Sequence, residues 1–198
     1  MSNIFLIRHG ATDLAGTFCG QSDPPLNERG LQQAATLVEE LESEQIEAVY
    51  SSDLTRAHQT AVALTTAKAA PLFRLSGLRE INFGNWEGLS WNEVEAIDGQ
   101  YAERWLAEYP SLAAPNGEVV AAFEARVLAT VETLLQIDGR PIAVVSHAGV
   151  MRVIMRRLGG FDEDQCFART KAYCSVVRLS REQHAIAAHS AFSRGGSR

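Results

Sequence analysis

Two apolar runs in this chain each end on a histidine. Leu6–Ile7–Arg8–His9–Gly10 closes the first, and Val144–Val145–Ser146–His147–Ala148–Gly149 closes a later one. A third run ends in Ser51–Ser52–Asp53–Leu54–Thr55–Arg56, which brings a second arginine to an equivalent place. Imidazole exchanges protons near neutrality, and guanidinium is a fixed planar donor for anionic oxygens. A single histidine after a strand is most simply a hydrogen-bonded structural residue. Several cations and imidazoles gathered without purpose would be costly to bury. The set therefore suits gripping an anion and working on it, provided that the fold brings its members into one crevice.

The elements that must position them alternate between short apolar runs and longer amphipathic ones. Ile4–Ile7, Ala48–Ser51 and Ile142–Ser146 read as buried strands, Pro71–Leu75 as a shorter strand, and Ala172–Leu179 and Ala185–Ala191 as closing strands. Asn27–Leu41 reads as a helix with Leu31, Ala34, Ala35, Val38 and Leu41 on its inner face. A helix after Asp53 takes that residue as its cap and buries Leu54, Ala57, Ala61 and Leu64. Glu118–Ile137 reads as a long helix, and the helix after His147 stops at Gly159–Gly160. Strands alternating with helices predict an α/β fold, a three-layer α/β/α sandwich around a mostly parallel sheet. Ligands of such sheets bind beyond the carboxyl ends of the strands, where Arg8, His9, Arg56 and His147 stand.

Residues 78–117 break the pattern and hold all three tryptophans, Trp86, Trp91 and Trp105. Ser90–Trp91–Asn92–Glu93 has the spacing of a capping box, so a helix starts there. The stretch reads as a helical, lid-like insertion over the active-site end of the sheet, within one domain spanning 1–198 and ending in a loose tail at 193–198.

Composition narrows the function. With 18 Lys plus Arg against 24 Asp plus Glu the net charge is −6, which argues against nucleic acid or an anionic membrane as partner. No apolar run is long enough to span a bilayer, and the N-terminus lacks the pattern of a signal peptide. Three cysteines without a C-x-x-C pair suggest free thiols and a cytoplasmic location. No Asp/His cluster has metal-ligand spacing, so neither metal nor cofactor is expected. A small-molecule ligand held by a monomer or homodimer is the remaining expectation.

Four blocks in order carry a family resemblance: Arg8–His9–Gly10; Ser51–Ala57 with Gln59–Thr60–Ala61; Leu78–Arg79–Glu80 with Phe83–Gly84–Asn85–Trp86–Glu87–Gly88; and Val145–Gly149. Together they resemble the histidine phosphatase superfamily, the phosphoglycerate-mutase-like fold, over nearly the whole chain. The resemblance implies that His9 attacks phosphorus and carries the phosphoryl group. Arg8, Arg56 and His147 would hold the phosphoryl oxygens, and Glu80 would protonate the leaving alcohol. Such an acid works best with its pKa raised, to which Ile81, Phe83 and Trp86 could contribute. Ala11 and Ala15 depart from the Glu and Asn that the family often carries there. Backbone N–H groups of Cys19, Gly20 and Gln21 are expected to replace the lost phosphate donor.

Other polar residues receive lesser roles. Glu87 reads as a supporting hydrogen-bond partner, Arg152, Arg156 and Arg157 as a solvated helix face, and His58, His184 and His189 as packing or surface residues. Cys19 stands beside the expected pocket with no pattern marking a reactive thiol. A mutase would need to hold a second anion, yet between Glu80 and Pro115 the only cation is Arg104, among six acids. Water is therefore the expected acceptor, and α-ribazole 5′-phosphate one expected substrate. The supporting stretches are Pro115–Glu118 with Phe123 and Arg126, and Tyr173–Ser175. A mutase-type transferase and an inactive phospholigand-binding domain are the alternatives.

Overall fold

The structure, a computed structural model, describes residues 3–136 and 140–180. Its strands are β1 (Asn3–Arg8), β2 (Ala48–Ser51), β3 (Leu72–Arg74), β4 (Ile142–Ser146) and β5 (Val176–Ser180). Its helices are α1 (Glu28–Glu40), α2 (Thr55–Lys68), α3 (Trp91–Glu108), α4 (Val120–Leu135), α5 (Ala148–Gly159) and α6 (Glu163–Thr170). The sheet order is β3-β2-β4-β1-β5, parallel except for β5, which runs antiparallel beside β1.

The interior of each central strand is apolar because helices cover both faces. Along β1, Ile4 and Leu6 point into a core with α4, α5 and α6, while Phe5 and Ile7 point to α1 and α2. Along β4, Ile142 and Val144 share the first core, Ala143 and Val145 the second. Each such large side chain contributes roughly 1.5–3 kcal/mol by leaving water. Register then does the positioning: Arg8 lies opposite Ser146, so His9 and His147 leave adjacent parallel strands side by side.

Three local expectations are corrected. The inner face of α1 is Gly30, Ala34 and Leu37, continued by Leu41, whereas Leu31 is 55% exposed and Ala35 also faces outward. Gly30 sets the rotation: a Cβ there would stand 2.1 Å from the Ala11 carbonyl oxygen, so only glycine lets the helix sit this close. Asp53 does not cap α2, whose N-cap is Leu54. Asp53 instead pairs with Arg79 through two bonds of 2.7 and 2.6 Å. Asp23, far away in the chain, accepts from the Thr55 backbone N–H at 2.5 Å and from its hydroxyl at 2.8 Å. Finally, β5 begins only at Val176. Tyr173 and Cys174 belong to the turn before it, Cys174 at φ 53° with its N–H donated to the His9 carbonyl.

Elsewhere the elements match closely. Asn27 and Ser90 cap α1 and α3, the latter with a complete capping box, and Gly160 ends α5 in the left-handed region at φ 65°. The stretch before and along α3 forms its own apolar cluster of Trp86, Val94, Ala102 and Ala114, against which Phe18, Trp91 and Trp105 pack. The Ser146 hydroxyl ties its base to the sheet by donating to the Leu78 carbonyl at 2.7 Å. The expected strand Ala185–Ala191, the tail 193–198, His184 and His189 lie outside the described residues.

Candidate active site

The carboxyl end of β1 holds the His9 backbone by an N–H bond to the Ser146 carbonyl at 2.9 Å. The imidazole Nδ1 lies 2.7 Å from the Gly10 carbonyl oxygen. A carbonyl only accepts, so the proton belongs on Nδ1 and Nε2 carries an unprotonated lone pair. Arg56 Nε donates to that lone pair at 3.2 Å. Burial first, and then the Arg56 charge, hold the His9 pKa well below its ordinary value, so the ring is neutral. Gly10 allows the close backbone approach: a Cβ there would stand 2.6 Å from the Gly30 carbonyl oxygen.

Arg56 is fully buried at the start of α2, and its remaining donors are committed. Nη1 donates to the Ser22 carbonyl at 2.6 Å, and Nη2 to the Gly20 carbonyl at 2.7 Å and that of Cys19 at 3.4 Å. The loop shows these carbonyls to Arg56 because its N–H groups face the other way, toward Glu87. That carboxylate accepts from Gly20, Gln21 and Ser22 backbone N–H groups at 2.8–3.1 Å, from the Ser22 hydroxyl at 2.6 Å and from Phe83 N–H at 2.9 Å. Burial works against Glu87 ionising, but these bonds outweigh it and leave its pKa below the ordinary carboxylate value. The expectation for residues 19–21 is therefore corrected. Gly20 and Gln21 N–H groups serve Glu87, Cys19 N–H serves the Thr17 carbonyl at 2.9 Å, and the loop's carbonyls orient Arg56.

His147 is buried at the end of β4, its ring centroid 5.1 Å from that of His9. Neither of its ring nitrogens has a hydrogen-bond partner among the described residues. Burial, followed by the nearby Arg56 charge, keeps this ring neutral as well. Arg8 anchors Nη1 on the Thr170 and Lys171 carbonyls at 3.0 and 2.6 Å and stacks 4.1 Å from the Tyr173 ring centroid. Its Nε is buried and has no hydrogen-bond partner among the described residues. Arg8, His9, Thr12, Cys19, Glu80 and Tyr173 line one hollow of about 130 Å³.

Glu80 stands at the rim. Its Oε2 accepts from the Gly149 N–H, in the first turn of α5, at 2.9 Å, and Oε1 accepts from Ile81 N–H at 3.1 Å. Its backbone carbonyl accepts from Arg126 Nη2 at 2.9 Å. Arg126 also donates to the Arg79 carbonyl at 2.7 Å and is neutralised by Glu118 through bonds of 2.7 and 2.8 Å. Glu80 and Ala148 border a second cavity of about 300 Å³ as well, walled by Phe18, Phe83, Trp105 and Tyr109.

The fold thus brings Arg8, His9, Arg56, Glu80 and His147 together, and leaves His58 on α2, half-buried and outside both cavities. Arg157 is exposed, but Arg152 and Arg156 both line the second cavity, Arg156 paired there with Glu124, contrary to the solvated face expected for them. Sequence reasoning gave Thr12 no role and named Tyr173 and Arg126 only as parts of supporting stretches; for the grip of Arg126 on the Glu80 carbonyl, Glu118 eight residues earlier was the available signal. Among the described residues no group of three His, Cys, Asp or Glu is placed to hold a metal ion.

Comparison with known proteins fits this geometry. Over 191 residues the chain is 30% identical to phosphoserine phosphatase 1 of Hydrogenobacter thermophilus, covering 94% of this chain and 90% of that one. It is 32% identical over 158 residues to the adenosylcobalamin/alpha-ribazole phosphatase of Salmonella typhimurium, covering 78% of each. The crystal structure of the alpha-ribazole phosphatase from Shigella flexneri superposes with a TM-score of 0.82 at 27% identity, covering 90% of both chains. Residues 4–192 match the family described as histidine phosphatase superfamily (branch 1), and to that superfamily the chain belongs.

Proposed function

We propose that the chain is a phosphomonoester hydrolase that works through a phosphohistidine on His9. The observation that carries this reading is the unprotonated Nε2 of His9 in a hollow shared with Arg8 and Glu80, its ring 5.1 Å from that of His147, while among the described residues Arg8 Nε and the His147 ring nitrogens are buried without partners. Nε2 attacks phosphorus and the ester P–O bond breaks as Glu80 gives its proton to the departing alkoxide. Arg56 Nε, released from the lone pair, turns to a phosphoryl oxygen. His147 and Arg8 stabilise the charge that builds on the other oxygens, an effect worth on the order of 10²–10³ per donor. Glu80 then deprotonates a water, which attacks phosphorus and breaks the P–N bond. Inorganic phosphate leaves and His9 is regenerated. Every charge the phosphoryl group brings is met by a side chain, so the cycle runs without metal.

Water rather than a second substrate is the acceptor, because between Glu80 and Pro115 the only cation is Arg104 among six acids, a poor cradle for a second phosphate. An inactive binder would have no use for Glu80. The substrate is a small phosphorylated metabolite. α-Ribazole 5′-phosphate is favoured by the aromatic wall of that cavity, which suits a flat heterocycle, and phosphoserine is the second candidate from the named relatives. The cytoplasm is the proposed location, in keeping with the unpaired Cys19, Cys166 and Cys174.

The test is turnover of p-nitrophenyl phosphate in the presence of EDTA, wild type beside His9→Ala, with the wild-type reaction quenched to trap the intermediate. Acid-labile, hydroxylamine-sensitive phosphate and loss of turnover in the variant are expected. Phosphate trapped on serine or cysteine, or unimpaired His9→Ala, overturns the scheme.

A further inference from the structure

Arg152, on α5 five residues after His147, lines the larger cavity together with Glu80 and Gly149. Its Nε donates to the Thr170 hydroxyl at 2.9 Å, and its guanidinium lies 4.8 Å from the Phe167 ring centroid. The Thr170 hydroxyl spends its own proton on the Cys166 carbonyl at 2.8 Å, so its lone pair is free to hold Arg152. The Thr170 carbonyl accepts from Arg8 at 3.0 Å. One residue therefore fixes the phosphate-side arginine and Arg152 relative to each other. The other charged groups of this cavity are largely spoken for. Arg156 pairs with Glu124, Glu118 pairs with Arg126, and Glu80 is held by Gly149. Among the described residues the terminal nitrogens of Arg152 carry no partner. An arginine held by its Nε and stacked on a ring is a preorganised fork with its end left for a ligand.

We propose that Arg152 is a specificity-determining, substrate-binding residue that grips an oxygen acceptor on the alcohol half of the phosphoester. The inference rests on the hydrolase reading and extends it to the leaving group. Its chemistry is that of a carboxylate or a pair of hydroxyls within a few bonds of the ester oxygen. Phe18, Phe83, Trp105 and Tyr109 offer only apolar faces and single donors there, so the fork supplies the strongest polar recognition in the cavity.

The experiment compares kcat/KM for three esters: phenyl phosphate, which has no such acceptor; phosphoserine, with a carboxylate; and ribose 5-phosphate, with hydroxyls. In Arg152→Met the ratio of at least one acceptor-bearing ester to phenyl phosphate should fall about tenfold or more, through KM, with Arg152→Lys restoring part of it. The arm that falls identifies the acceptor. Thr170→Val, which releases Nε, should shift the same ratio in the same direction by several-fold, and it decides the matter if Arg152→Met does not fold. Unchanged ratios in both arms, or an equal loss on all three esters, overturn the proposal. Failure of the wild type to hydrolyse phenyl phosphate would instead strike the hydrolase reading.

Discussion

Gly149→Ala separates the chemistry of Glu80 from the stability of the fold. A Cβ on Gly149 would stand 2.3 Å from Glu80 Oε1 and 3.0 Å from its Cδ, and the nearest atoms it meets all belong to that carboxylate. The carboxylate is the free end of a side chain, so it swings aside and gives up the 2.9 Å bond from the Gly149 N–H. Losing a charge-assisted hydrogen bond costs about 1.5–3 kcal/mol, and alanine in place of glycine in a helix returns about 1 kcal/mol. A net loss of about 2 kcal/mol or less lowers Tm by no more than about 8 °C at this chain length. The effect on turnover is larger. A proton donor contributes typically 10²–10⁴-fold, and a displacement of about 1 Å forfeits on the order of 10² of that. kcat/KM for an alkyl phosphate should therefore drop about 100-fold. p-Nitrophenolate leaves with little need of a proton, so its ester should lose only a few-fold. Both esters, assayed beside a thermal melt, give the result. Equal losses on the two, or none on the alkyl ester, refute the assignment of Glu80.

Asp23→Ala removes the side chain that caps α2 from outside the helix, and chemical denaturation should show a loss of about 1 kcal/mol. Asp53→Ala, by contrast, should leave that cap intact and disturb only the hold on Arg79; matching effects of the two on α2 amide exchange would contradict the capping described above. The pH dependence of stability follows from His9 and His147, both held neutral in the folded chain. Below about pH 6.5 the unfolded chain binds protons that the folded one refuses, so stability falls with pH by up to about 1.4 kcal/mol per unit for each ring. Denaturant titrations from pH 7 to 5.5 should show this slope, and His147→Gln should make it shallower; a flat profile would count against buried neutral rings. Glu87→Gln keeps the size of the side chain but removes the charge that holds loop 20–22, and weaker inhibition by vanadate or phosphate is expected, whereas wild-type inhibition would show that the clamp does not reach the phosphate hollow.

Much of the arrangement was legible in local sequence, because β1, β4 and the helix after His147 are continuous apolar or strongly periodic segments whose ends carry the reactive side chains. The Ser90 capping box was equally readable, being complete within four residues. What escaped reading depends on partners distant in the chain. Asp53 looked like a cap by position, but Asp23 holds that place from 32 residues earlier. Leu31 fits an amphipathic stripe, yet the contact between Gly30 and Ala11 turns the helix and leaves it in water. Arg152 looked like one of three surface cations, and only the docking of α6 beside α5 gives it Thr170 and Phe167 as supports. The roles of residues 19–21 were inverted for the same reason. Which side of a peptide faces the ligand is decided by Glu87, more than sixty residues away.

That single carboxylate makes residues 78–117 and the buried Arg56 mechanically inseparable. Glu87 sits in the stretch whose aromatic residues wall the larger cavity, while the peptides it draws toward itself turn their oxygens onto Arg56. Transplanting residues 78–117 from a cousin to alter substrate range would also transplant, or discard, the anchor of a buried guanidinium on the far side of the hollow. Chimeras that keep an acid at this point should inherit a working phosphate cradle along with new preferences, and those that lose it should forfeit both.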